Sequence, residues 1–137
     1  MPLRAPTVHN PALLLDWNVP HSSYYRPPVK FRCRDGFLGL PAQPSACAPD
    51  ARWDDVRIEV RCNQALVQTV DLRELVRSVP QLLADVGEFM TLQPGDVLMV
   101  GTDCLPDGTR PRARVGDTVE LSAPGLLPLR THVKGLA

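Results

Sequence analysis

Apolar and polar positions alternate most clearly from Val56 to Cys62, where Val56, Ile58, Val60 and Cys62 are separated by Arg57, Glu59 and Arg61. A period of two sends successive side chains to opposite faces, so this run predicts a half-buried strand. Asn63-Gln64 supplies turn chemistry and Ala65 to Val70 returns, which predicts a β-hairpin. Further strands are expected from Thr118 to Leu121 and from Leu129 to Val133. Val97 to Val100 is wholly apolar and reads as a short strand buried on both faces. Near the start, Ala12 to Leu15 is another short apolar run, and it ends on Asp16. Val29-Lys30-Phe31-Arg32-Cys33 alternates apolar and basic side chains, predicting a half-exposed strand closed by an Arg34-Asp35-Gly36-Phe37 turn.

Helices are expected only in the middle of the chain. Asp71 with Glu74, and Ser78 with Gln81, have the capping-box spacing, in which the cap side chain and the residue three later bond each other's backbone N–H. Two short helices are therefore predicted, about 72–77 and 79–90. Pro80 suits the first turn of the second, where its missing N–H costs little. Leu82, Leu83, Val86, Phe89 and Met90 form the expected buried stripe of that helix. Gln93-Pro94-Gly95-Asp96 is a turn in which proline presets φ and glycine accepts a positive one. Val115-Gly116-Asp117 repeats the idea before the next strand. Ser22 to Pro28 and Leu38 to Trp53 read as surface connections. Residues 1–10 show no periodicity and read as a loose leader, leaving 11–137 as one domain, mainly β with two short helices.

The totals narrow the class. A length of 137 residues suits a single domain with a modest core. The 15 prolines are about twice the usual share and favour short strands and turns over a helical bundle. Fifteen basic residues balance 15 acidic ones, which gives no case for a nucleic-acid or anionic-membrane partner. No apolar run approaches the ~20 residues of a membrane span, and the N-terminal residues lack the apolar core of a signal peptide. Cys33, Cys47, Cys62 and Cys104 are widely spaced with no Cys-x-x-Cys, which argues against zinc and for reduced thiols in a cytoplasmic protein.

Candidate chemistry is sparse. Asp16 closes an apolar run, where it is either a site carboxylate or the cap of the following turn. Lys30 and Arg32 are either substrate-facing cations or the solvated face of an edge strand. An arginine there clamps a carboxylate bidentately but does not transfer protons, since it stays protonated. Arg110, Arg112 and Arg114 make a basic loop that faces an anionic substrate, another subunit or solvent. His132, alone on an expected strand, reads as structural.

The stretch FMTLQPGDVLMVGT (89–102), followed by VGDTVELSAPGLLPL (115–129), resembles the closing segment of the fumarylacetoacetate hydrolase superfamily. YYRPPVKFRCRDGF (24–37) is similar to its isomerase/decarboxylase branch of homoprotocatechuate (4-hydroxyphenylacetate) breakdown. The resemblance covers roughly residues 11–133 and implies part of a mixed β-roll. It implies a Mg²⁺- or Mn²⁺-dependent isomerase, decarboxylase or C–C hydrolase of small 2-oxo or 2-hydroxy acids. Asp16 then matches a metal ligand, with Leu15 where the family usually has asparagine. Arg32 stands where the family often has a substrate-reaching lysine, with Lys30 close by. Gly101 and Thr102 match the backbone and hydroxyl that hold a carboxylate or enolate oxygen, and Tyr25 matches a substrate-binding position. Asp103-Cys104 and a longer polar loop replace the usual proline and short loop.

The family's other two protein ligands form a Glu-x-Glu pair well upstream. None occurs here: the only four glutamates are Glu59, Glu74, Glu88 and Glu120. Only 15 residues precede Asp16. The expectation is the C-terminal half of such a domain, either truncated or pairing with another chain, with exposed sheet edges and self-association. As an enzyme it takes a small acid and forms a homo-oligomer or pairs with a homologous chain. A non-catalytic assembly subunit and an unrelated small β-rich binding domain remain as alternatives.

Overall fold

The computed structural model describes residues 10–22, 29–46 and 52–135. The loose leader, Tyr25 and Cys47 lie outside the described residues, apart from Asn10 of the leader.

The centre is a four-stranded antiparallel sheet in the order β4-β3-β5-β6. Its members are β3 (Arg57–Cys62), β4 (Ala65–Asp71), β5 (Thr118–Ser122) and β6 (Leu129–His132). β3 and β4 make the expected hairpin, closed by Cys62 opposite Ala65. Its two turn residues, Asn63 and Gln64, both have positive φ, 48° and 72°. That is the turn geometry whose twist matches paired strands. Asn63 is held there because its amide donates to Asp117 Oδ1 at 2.8 Å, while its Oδ1 accepts from Thr118 N at 2.9 Å. The alternation of β3 sorts its faces as the sequence implies. Ile58, Val60 and Cys62 pack toward buried Val119, Leu121 and Leu129, and Arg61 pairs with Glu59 on the other face at 2.8 Å.

A smaller two-stranded sheet joins β1 (Leu15–Asp16) to β2 (Leu38–Gly39). Leu13, only 2% exposed, carries this lobe into the main core, with Leu15 and Trp17 packed beside it. The lobe is also tied to the turn before β6. The buried hydroxyl of Ser45 accepts from Leu127 N at 2.8 Å, and Ser45 N donates to Pro11 O at 2.8 Å.

The helices differ from expectation in part. α2 (Val79–Gly87) has the full capping box between Ser78 and Gln81 and Pro80 in its first turn. The first helix, expected over 72–77, is only a 3-10 turn at Leu72–Glu74, because the Asp71 carboxylate accepts from Arg73 N and not from Glu74 N. The Val29–Cys33 run is not a strand. Val29–Arg32 forms a one-turn helix, α1, closed by Cys33 N donating to Val29 O at 2.7 Å. Alternation over so short a run suits either element, and no strand among the described residues pairs with this one.

Two apolar segments are less buried than their pattern predicts. Leu82, Leu83 and Val86 of α2 are half-buried, yet Phe89 is 76% and Met90 49% exposed. Val97 to Val100 forms no strand, with Val97 58% and Met99 49% exposed. A strand buried on both faces needs a neighbour at its edge, and no described residue supplies one. The fold is thus mainly β with two helices, and its sheets stay open.

Gln64 occupies a left-handed conformation that a side chain enters at a cost of ~1 kcal/mol and glycine enters freely. Gln64→Gly is therefore expected to raise the unfolding free energy by roughly 1 kcal/mol, read as a higher urea midpoint at unchanged slope. A lowered midpoint contradicts the positive-φ turn.

Candidate functional site

The site is built at the corner where the small sheet leaves the core. Leu15 and Trp17 pack inward, so Asp16 between them faces outward and is exposed. Opposite it in the register stands Leu38. Beyond Asp16 the chain is tied twice to the following segment. Trp17 N donates to Phe37 O at 2.9 Å, and Val19 N donates to Phe31 O at 2.8 Å. These bonds bring α1, with Lys30 and Arg32, to the lobe that carries Asp16.

The change of α1 from strand to helix alters what its cations do. In a strand Lys30 and Arg32 share a face, whereas in a helix residues two apart diverge by about 200°. Their side chains therefore leave this element in diverging directions. Lys30 Nζ lies 5.1 Å from the Phe31 ring centroid, a cation–π distance. Arg34 Nε donates to Lys30 O at 2.6 Å and braces the same turn.

His21 is the residue in this corner that sequence reasoning passed over. Its ring stacks on Phe31 with centroids 4.8 Å apart. The only signal was its place shortly after Asp16, beyond Pro20, and nothing local tied it to Phe31. Gly101 and Thr102 are exposed and lie in a different part of the chain. Gly101 has φ 90°, which suits glycine alone, and Thr102 Oγ1 reaches only Asp103 O at 3.5 Å. No hydrogen bond among the described residues joins Gly101-Thr102 to the Asp16 lobe. Tyr25, the remaining candidate, lies outside the described residues.

The metal question is one of donors. Among the described residues no group of three or more His, Cys, Asp or Glu side chains is gathered as a cation site. A hard divalent cation takes about six oxygens. Asp16 supplies one carboxylate, so these residues do not by themselves fit a complete site. Cys33, Cys62 and Cys104 are all free thiols. Burial and the neighbouring Asp117 carboxylate push the Cys62 thiol up, which favours its protonated form. His132 is exposed on β6, with Nδ1 3.1 Å from Thr118 Oγ1.

The fold and this corner define a class: an open β-rich domain presenting one carboxylate beside a short basic helix. Residues 13–134 match the fumarylacetoacetate (FAA) hydrolase C-terminal family, and the chain belongs to that family. It is 36% identical over 122 residues to the 4-hydroxyphenylacetate degradation bifunctional isomerase/decarboxylase of Salmonella dublin, covering 89% of this chain and 27% of that protein. It is 35% identical over 126 residues to the homoprotocatechuate catabolism bifunctional isomerase/decarboxylase of Escherichia coli, with the same coverage. The chain thus spans about a quarter of the length of these curated relatives. Among solved structures it is similar to maleylpyruvate hydrolase from Sphingobium sp. SYK-6, with TM-score 0.67 and 25% identity over 78% of this chain and 39% of that one. A second structure of that hydrolase, in complex with manganese(II) and pyruvate, matches with TM-score 0.63 and 25% identity over 74% of this chain and 38% of that one. No helix among the described residues is long and apolar enough to cross a membrane.

Two carboxylates at the ends of the sheet are held below the usual carboxylate range by hydrogen bonds. Hydrogen bonds from the Arg73 side chain and backbone draw Asp71 from 3.8 down to about 2. Bonds from Arg114 N and the Asn63 amide likewise lower Asp117. A folded-state pKa below the unfolded one stabilises the fold above the unfolded value, and the gain is lost as pH falls through the folded one. For Asp71 the window runs from pH 3.8 down to about 2. The urea midpoint is expected to fall across it, with a shallower fall in Asp71→Asn. An unchanged slope in the variant contradicts the assignment.

Proposed function

We propose that this chain forms part of the active site of a divalent-metal-dependent enzyme acting on small 2-oxo or 2-hydroxy acids. The reaction class is isomerisation, decarboxylation or C–C hydrolysis in the breakdown of aromatic compounds. The observation that carries the reading is the tethering of the Asp16 strand end to α1 through Val19 N and Phe31 O, and to the turn after α1 through Trp17 N and Phe37 O, inside the family-matched region. It gathers a carboxylate and a cationic helix at one exposed corner. The printed names of the relatives support the reaction class, and the manganese–pyruvate complex of one structural relative supports the ligand class.

In this reading Asp16 is one ligand of Mg²⁺ or Mn²⁺, and the other carboxylates come from outside the 137 residues. Such a cation, when bound, supplies Lewis acidity toward a 2-oxo acid. The chain's own residues position the substrate. Arg32 pairs with a substrate carboxylate, in the fork geometry that guanidinium and carboxylate share. Lys30, on another face of α1, is the alternative contact and the only one of the two able to move a proton. Gly101 presents bare backbone and Thr102 a hydroxyl to a substrate oxygen, and Tyr25 completes the contact set.

The absence of a gathered ligand group among the described residues favours one other reading, a non-catalytic assembly subunit. Mn²⁺ titration by EPR, with Asp16→Ala beside the unaltered chain, separates the two. Weak binding that the substitution removes is the expected result. Binding that survives Asp16→Ala contradicts the metal-ligand assignment, and binding absent from both proteins favours the assembly subunit.

A further inference from the structure

Among the described residues, a single hydrogen bond ties the segment 91–113 to the rest of the molecule. Every other bond it makes is internal: Gln93 with Asp96, Leu105 with Thr109 and Gly108, Asp107 with Thr109, and Asp103 with its neighbours Thr102 and Cys104. The exception comes from Gln68 of β4, whose Nε2 donates to Asp103 O at 2.8 Å across 35 residues of sequence. Close packing does not replace that bond. Clefts of about 330 and 260 Å³ are lined on one side by β4 and on the other by residues 103–106.

Gln68 reaches the Asp103 carbonyl because β4 contains a bulge. Val60 stands opposite Gln68 and Arg61 opposite Leu66, so Val67 has no partner on β3. A strict period of two puts Gln68 on the face of Leu66. The extra residue shifts the phase by one and turns Gln68 to the face of Val60, since residues directly opposite share a face. On that face Val60 packs against the core and Val70 is 6% exposed, whereas Leu66, on the other, is 51% exposed. The bulge thus sets a half-buried amide at the rim of the apolar face, where it needs a partner.

We propose that Gln68 is the positioning residue of the Gly101–Thr102 turn, which it holds through the Asp103 carbonyl. In the functional reading above, on which this rests, Gly101 and Thr102 contact a substrate oxygen. The oxygen that accepts from Gln68 also lies 3.5 Å from Thr102 Oγ1, so one shared atom separates Gln68 from that hydroxyl. The peptide unit joining Asp103 to Cys104 is held at both ends. Its oxygen accepts from Gln68, and its N–H donates to Asp103 Oδ1 at 2.7 Å. From Val97 to Gly101 no backbone group makes a hydrogen bond among the described residues, so the upstream side leaves the turn free. A donor stabilises charge on a ligand oxygen only as far as its place is fixed beforehand.

The test is NMR on the isotope-labelled 137-residue chain, first alone and then with pyruvate in the presence of Mg²⁺. Pyruvate is the probe because it is the 2-oxo acid in the manganese complex of the Sphingobium hydrolase. Gln68→Met keeps the length of the side chain and removes its donor, and Gln68→Leu is a second donor-less variant. Gln68→Lys keeps a donor. In the unaltered chain the amides of residues 101–104 are expected to be ordered and those of Gly101 and Thr102 to shift with pyruvate. Without the donor, order parameters at 101–104 should fall below about 0.6, while those of β3 and β4 stay high. The pyruvate concentration at half-shift should rise roughly two- to tenfold, the share of one hydrogen bond. Gln68→Lys should restore both.

Order at 101–104 that survives both donor-less variants overturns the proposal. Order that falls while the pyruvate midpoint stays put also overturns it, because Gln68 is then a structural tie alone. Loss that Gln68→Lys does not reverse has the same consequence. If pyruvate leaves Gly101 and Thr102 unshifted in the unaltered chain, the substrate contact itself fails and takes the positioning role with it. A shift in the unaltered chain that the variants leave unchanged defeats only the role of Gln68, so the two failures are told apart.

Discussion

The burial of Leu13 is the contact on which the candidate site depends. This residue is 2% exposed and joins Val119, Leu121 and Leu129 in the core. A fully buried leucine contributes about 1.5–3 kcal/mol. Here that burial does more than stabilise. It pins the start of the small sheet to β5 and β6, and the alternation that follows leaves Leu15 and Trp17 inside and Asp16 outside. The Ser45–Leu127 bond fixes the other end of the same lobe. Asp16 therefore stands at a defined corner, on a short extended element whose neighbours cannot shift without opening the core.

Around that anchor the structure is one-sided. Among the described residues eight apolar side chains are buried, while eleven large ones are exposed. Five of those eleven, Val76, Phe89, Met90, Val97 and Met99, fall between the 3-10 turn and the end of the unpaired segment. The sheet is well formed where its partners are local, at the β3–β4 hairpin and through β5 and β6. It is unfinished where the sequence pattern asks for a partner that these residues do not provide. The donor set tells the same story, with one carboxylate where a hard cation asks for several oxygens.

Features decided locally were legible in the sequence. The hairpin at Asn63-Gln64, the capping box at Ser78 and the paired Gly-Asp turns all formed. In both turns the aspartate side chain accepts from the backbone N–H three residues back, Gln93 for Asp96 and Arg114 for Asp117, each at 2.7 Å. Features that depend on distant partners were less legible. Val97–Val100 has strand composition, but a strand is a property of two segments. Phe89 and Met90 continue the apolar stripe of α2, but α2 ends at Gly87 and the described residues leave them largely exposed. Val29–Cys33 alternates convincingly, yet five residues do not separate a period of two from one helical turn. That last misreading reached the site itself, since a helix splays Lys30 and Arg32 where a strand aligns them. Asp16 was legible as a position, through its place after an apolar run, while the stacking of His21 on Phe31 and the Val19–Phe31 bond were not.

In the proposed reading the Asp16 corner receives the cation beside α1. The most direct measurement is paramagnetic broadening of backbone amide resonances as Mn²⁺ is added to the isotope-labelled chain. The account predicts that amides flanking Asp16 and those of α1 and the Arg34–Phe37 turn broaden first, and together. Broadening that begins instead at another acidic stretch, such as Asp54-Asp55, and spares Asp16 would contradict it.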